Sequence, residues 1–192
     1  GTHWDNWVKY PFYPGYATVG TVIAVGAGVT GLKAGDRVAH RTGHCSHAVV
    51  KAGDCYRVPD GVGSDDAVWF PLAKIAGHGV RAAGITLGDA VVVIGAGPIG
   101  QMTVRWALAC GAGKVIALDL AESRLKMAAT AGALPVQASA EQAIDAIKSA
   151  LGGTRPSVVI ETTGNAGVLK TALSLAADHG TVVLLRDTRS RD

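Results

Sequence analysis

The chain has 192 residues, 48% of them apolar, and a formal net charge of +3. That length supports one well-filled core and a smaller second one. The absence of a Lys/Arg cluster argues against a nucleic-acid partner, the one local excess being Arg186, Arg189 and Arg191, offset by Asp187 and Asp192. No apolar run reaches the roughly 18 residues of a membrane span, and no secretory signal opens the chain. Cys45, Cys55 and Cys110 are odd in number and lack C-x-x-C spacing, which predicts reduced thiols and a cytoplasmic protein.

In chain order, Trp4, Trp7, Tyr10, Phe12, Tyr13 and Tyr16 place six of the ten aromatics in the first sixteen residues, where they could line a planar substrate pocket or form a local core. Residues 18–25 read as a strand that opens into a glycine-rich connection over 26–36. Residues 37–40 and 48–50 read as further short strands, and residues 56–61 close the segment in a turn. Short strands punctuated by glycine predict a small β-barrel. His40, His44, Cys45 and His47 form the one metal-like grouping, and imidazole with thiolate suits zinc. If residues 46–50 are a strand, however, His47 points away from Ser46 and Ala48, and histidines without a metal are the expectation. Residues 64–84 are helical by pattern. Lys74 and His78 stand four residues apart on one face of an otherwise apolar stretch. Each reads either as an acid or base, or as a snorkelling lysine beside a core histidine.

The second part alternates strand and helix. Val91-Val92-Val93-Ile94 is continuously apolar, as a parallel strand covered on both faces must be. It runs into Gly95-Ala96-Gly97-Pro98-Ile99-Gly100, with Pro98 suited to a first helical turn. A second apolar strand, 115–119, ends on Asp119, nineteen residues after Gly100. This order is a dinucleotide-binding fingerprint. Gly95 allows the tight turn, Gly97 lets the backbone approach a pyrophosphate, and Gly100 lets the helix pack close to the strand. The N–H groups of Pro98's helix, Ile99 among them, face the phosphates. Asp119 is expected on the ribose hydroxyls, favouring NAD over NADP, and Glu122 adds to the repulsion of a 2′-phosphate. Arg124 faces a phosphate, lies against adenine, or is simply solvated. Helices over 122–131, 138–151 and 166–177 and strands over 157–160 and 181–185 complete an α/β doubly wound parallel sheet. Glu161-Thr162-Thr163-Gly164-Asn165 falls at a strand end, where the hydroxyls of Thr162 and Thr163 could meet the nicotinamide half or cap the next helix. Trp106 is expected to pack.

Val25 to Val38, Val58-Pro59-Asp60-Gly61-Val62 and Ile85-Thr86-Leu87-Gly88-Asp89, joined to Gly95–Gly100 and Asp119, resemble the medium-chain dehydrogenase/reductase, alcohol-dehydrogenase-like superfamily. The resemblance runs from about Tyr10 to Leu185. It implies a partial GroES-like catalytic domain with its linking helix over 1–80 and a Rossmann dinucleotide-binding domain over 81–192. Between them it implies a cleft for a small alcohol or carbonyl substrate. Zinc-dependent members carry Gly-His-Glu where this chain has Gly15-Tyr16-Ala17. A further acidic or cysteine ligand of those members falls near Phe70-Pro71, where nothing can coordinate, and the structural zinc loop is absent between His40 and Ala48. The resemblance is therefore to the zinc-independent branch, with no metal expected, since a catalytic zinc needs three protein donors. Tyr16 then offers a phenolic proton or is a barrel aromatic, and Lys74 or His78 borders the nicotinamide. Members of this family extend beyond both ends of the chain, and a longer chain would form a homodimer through an edge strand. A silent nucleotide-binding remnant, and a zinc polyol dehydrogenase with ligands outside the chain, are the alternatives. Arg186 stands where the family has a small residue.

Overall fold

The computed structural model describes residues 9–139 and 142–185, so Trp4, Trp7 and the basic tail from Arg186 onward lie outside the described residues. The chain divides into two units, Gly1–Pro71 and Leu72–Asp192, ahead of the boundary expected at 80/81.

In the second unit, strands β4 (Ala90–Ile94), β5 (Lys114–Asp119), β6 (Leu134–Gln137), β7 (Val158–Glu161) and β8 (Thr181–Leu184) form one parallel sheet in the order β6-β5-β4-β7-β8. β4 is central, its Val91–Ile94 pairing with Val115–Leu118 on one side and Val158–Glu161 on the other. Alternation along the strands sends side chains to two cores. Val91, Val93, Val115 and Ala117 pack with Val104, Ala107, Leu125 and Ala128 of helices α3 (Pro98–Ala109) and α4 (Glu122–Thr130). Val92, Ile94, Ile116 and Leu118 pack instead with Ala143, Ile147, Ala172 and Leu175 of α5 (Ala143–Ala150) and α6 (Leu169–Leu175). An apolar residue is thus useful at every position, and that explains the unbroken valine run. The pattern over 132–137 hides β6, because Pro135 interrupts it. β6 is an edge strand, where a missing N–H is tolerated.

In the first unit, β1 (Thr18–Thr21), β2 (Arg37–His40) and β3 (Tyr56–Arg57) form an antiparallel sheet. The strand expected over 18–25 stops at Thr21, where Val22 turns its N–H to Asp36 and its carbonyl to Gly35. The strand expected over 48–50 does not form; Ala48 and Val49 are exposed and outside the sheet. Arg57 clamps the glycine-rich connection by donating to the Gly31 carbonyl at 2.9 Å and to Asp36 at 2.7 Å. Helix α1 (Ser64–Ala67) and then α2 (Phe70–Ala83) follow.

Asp89 ties the start of β4 to that of β7. One carboxylate oxygen accepts the Thr86 N–H and hydroxyl at 2.7 and 2.9 Å, and the other accepts the Ser157 hydroxyl at 2.9 Å. These donors, the Thr86 amide first and Ser157 next, hold the Asp89 carboxyl below its usual range. A carboxyl lowered on folding stabilises the fold above its unfolded pKa of about 3.9, and that contribution is lost as pH falls through the folded value. Urea unfolding of Asp89→Asn against the parent is expected to show a stability gap that is flat from neutral pH to about 5 and closes at lower pH. A gap that widens on acidification would contradict this role.

Candidate functional site

The fingerprint turn sits at the carboxyl end of β4, and nearly every backbone group in it is held. Gly95 has φ +92°, a conformation that costs glycine nothing. Its N–H donates to the Leu118 carbonyl at 2.8 Å. The Ala96 N–H donates to Asp119 Oδ2 at 2.7 Å, and the Ala96 carbonyl accepts from Gln101 Nε2 at 2.9 Å. A Cβ at Gly100 would lie 1.8 Å from the Gly95 carbonyl oxygen, so only glycine lets α3 approach the turn. Gly97 differs. Its φ of −69° is ordinary and a Cβ there would meet nothing within 4 Å, so the space in front of it is open. Gly97 is also the cap of α3 and Pro98 its first residue, so the cap itself offers no side chain to the N–H groups of the first turn. An open cradle lined by uncapped amides fits a diphosphate.

Asp119 closes one side. Beyond the Ala96 N–H, its Oδ1 accepts the Ala121 N–H at 2.8 Å, and Arg124 Nη1 lies 3.6 Å from Oδ2. Arg124 is therefore partnered with the acid rather than merely solvated, while its side chain stays 58% exposed. A carboxylate has about four acceptor positions, which leaves capacity for ribose hydroxyls. Sequence reasoning missed Gln101, whose buried amide bridges the Ala96 and Arg124 carbonyls, 2.9 Å from each. A polar residue one turn into the helix was the available signal.

The end of β7 closes the other side. Glu161 is fully buried and accepts from the Thr163 N–H, the Thr163 hydroxyl and the Gly164 N–H. The Thr163 oxygen in turn accepts the Asn165 N–H at 3.0 Å. The Thr162 hydroxyl points to the carbonyls of Ile94 and Gly95, at 3.0 and 2.9 Å. Both hydroxyls considered for the nicotinamide half thus have partners inside the protein. The structure brings Gly95, Gly97, Pro98, Ile99, Gly100, Asp119, Arg124, Thr162 and Thr163 to one end of the sheet.

Residues 1–94 match the family described as alcohol dehydrogenase GroES-like domain, and residues 98–185 match the one described as zinc-binding dehydrogenase. The chain belongs to the alcohol-dehydrogenase-like, medium-chain dehydrogenase/reductase superfamily. It is 32% identical to a Gallus gallus protein named sorbitol dehydrogenase, over 94% of this chain and 61% of that relative. A short chain alcohol dehydrogenase from E. coli CFT073, solved with NADH, aligns with TM-score 0.70 and 25% identity over 85% of this chain and 58% of its own. A mycobacterial protein solved with NADPH aligns with TM-score 0.69 and 29% identity over 88% of this chain and 55% of its own. The chain spans about 60% of the length of the relatives it matches.

The GroES-like match takes in the first unit and runs on through β4 of the second, and the zinc-binding-dehydrogenase match begins at α3. In the first unit, Tyr16 is 41% exposed and its ring lies under the Arg41 guanidinium, 5.5 Å from the centroid. It is no core aromatic. The metal-like grouping disperses. His40 is buried in β2 with Nδ1 unpartnered, and the His44 ring lies over Gly15. His47 pairs with the Ser46 hydroxyl at 3.2 Å. Among the described residues no three of His, Cys, Asp and Glu converge on a point that could hold a metal ion. In the second unit, Lys74 and His78 lie on the exposed side of α2, while Ala76, Val80 and Ala83 are buried. His78 is therefore not a core histidine. Trp106 packs α3 on α2, donating to the Ala73 carbonyl at 2.8 Å.

The two glycines make opposite predictions. Gly100→Ala is expected to lower stability in urea by about 1–3 kcal/mol, because its methyl meets backbone. Gly97→Ala is expected to cost under about 1 kcal/mol, a cap effect, yet to abolish nucleotide binding by filling the cradle. Retention of nucleotide affinity in Gly97→Ala would show that the open space is not the phosphate site.

Proposed function

We propose that this chain is the core of an NAD-preferring oxidoreductase that moves a hydride between nicotinamide and an alcohol/carbonyl pair without catalytic zinc. The observation that carries the reading is the held glycine turn, with open space at Gly97 and an acid beside it. The first-turn amides around Gly97, Ile99 and Gly100, with proline at Pro98, bind the diphosphate. Asp119 accepts the ribose hydroxyls and repels a 2′-phosphate, while Arg124, held beside Asp119, lies against the adenine. The bound nicotinamide supplies the hydride donor or acceptor. The alcohol proton then needs a protein group, and Tyr16, Lys74 and His78 are the candidates with accessible polar ends. Likeness to proteins named sorbitol dehydrogenase supports a small polyol or alcohol as substrate. Tyr16 at one expected ligand position and Phe70-Pro71 near the other support chemistry without zinc. Three free thiols support a reducing, cytoplasmic setting.

Titration with NADH and NADPH is expected to show at least ten-fold tighter NADH binding, about 1.4 kcal/mol. Asp119→Ala should narrow that ratio. The ratio is the readout because loosening the Ala96 turn weakens both nucleotides alike. An unchanged ratio would remove Asp119 from the ribose. Dialysis against a chelator should leave turnover intact, and stoichiometric zinc in purified protein would overturn the metal-free part. NADH binding without turnover across a panel of alcohols, aldehydes and ketones would reduce the function to nucleotide binding.

A further inference from the structure

We propose that Thr162 is a positioning residue whose hydroxyl sets the phosphate-facing turn and makes no contact with the nicotinamide. This rests on the dinucleotide reading above. Thr162 is 6% exposed. Its one hydroxyl hydrogen lies between two carbonyl acceptors, Ile94 at 3.0 Å and Gly95 at 2.9 Å, while its own N–H donates to Ile94 at 2.9 Å. The approach is possible only because residue 95 lacks a side chain; a Cβ there would lie 2.9 Å from the Thr162 oxygen and 2.8 Å from the Thr163 methyl. The Gly95 carbonyl is therefore held by Thr162 and crowded by the bare Cα of Gly100, where a Cβ would lie 1.8 Å from the carbonyl oxygen and 3.1 Å from the Thr162 hydroxyl.

The neighbouring backbone is fixed as well. The Glu161 carboxylate collects the N–H groups of Thr163 and Gly164, so the loop cannot swing Thr162 away without stranding a buried charge. Removal of the hydroxyl leaves the Gly95 carbonyl buried without that donor. The peptide plane it belongs to then reorients, and this plane leads directly into Ala96 and Gly97, where the diphosphate sits. The hydroxyl thus acts on ligand binding through the turn.

The test compares NADH with ADP, which carries the diphosphate but no nicotinamide, by titration calorimetry on the 192-residue chain. Parent protein that binds neither ligand would sink the dinucleotide reading itself. With binding established, Thr162→Val is expected to weaken NADH and ADP alike, each about ten-fold, and Thr162→Ser to restore most of the loss. Should the valine variant fail to fold, Thr162→Ala carries the same comparison. A loss confined to NADH would place the hydroxyl at the nicotinamide and overturn the proposal. Unchanged affinity for both, with only a lower unfolding midpoint, would make Thr162 a purely structural brace and overturn it equally.

Discussion

A methyl group on Gly100 would stand 1.8 Å from the carbonyl oxygen of Gly95. Its absence is the constraint on which the second unit depends. It lets α3 start close against β4, which puts the uncapped amides of the first helical turn directly beyond the strand end. The missing methyl also leaves room for the Thr162 hydroxyl at the Gly95 carbonyl, since a Cβ on Gly100 would lie 3.1 Å from that oxygen. Strand, turn, helix and the loop after β7 meet at one peptide group.

In the proposed reading, holding the turn and binding a ligand draw on the same residue, Asp119. Its carboxylate accepts two backbone N–H groups and faces Arg124, so the acid is oriented before any ribose arrives. A preorganised acceptor loses little freedom on binding. Asp119 thus holds the turn that the proposed site is built on, and Gln101 and Glu161 hold backbone in the same way at the helix and loop. The first unit is different in kind. Its short antiparallel strands bury little beyond Val38, Ala39, His40 and Val58, and its order depends on clamps such as Arg57 on Asp36 and Gly31.

The legibility of each part follows from how local its causes are. Valine at four successive positions of a doubly covered strand, and glycine where φ is positive, are demanded by a residue's immediate surroundings, and so they are visible in a string of letters. β6 was invisible because pairing with β5 overrides the discouragement of Pro135. The strand expected over 48–50 failed for the converse reason. Ala48-Val49-Val50 has the right composition, but among the described residues no neighbouring strand takes its N–H and C=O groups into the sheet.

Taken alone, the amino-acid order determined the alternation of strands and helices, the glycine turn, the acid after it and the family likeness, because each is a short-range pattern with a steric or periodic cause. Tertiary structure decided where the polar side chains point. The Thr162 hydroxyl turned inward to two carbonyls 67 and 68 residues away, Arg124 turned to Asp119, and the metal-like residues parted, His40 into β2, His44 over Gly15 and His47 to Ser46. A hydroxyl or imidazole is satisfied by whatever the fold brings within about 3 Å, and that distance is not written in sequence separation.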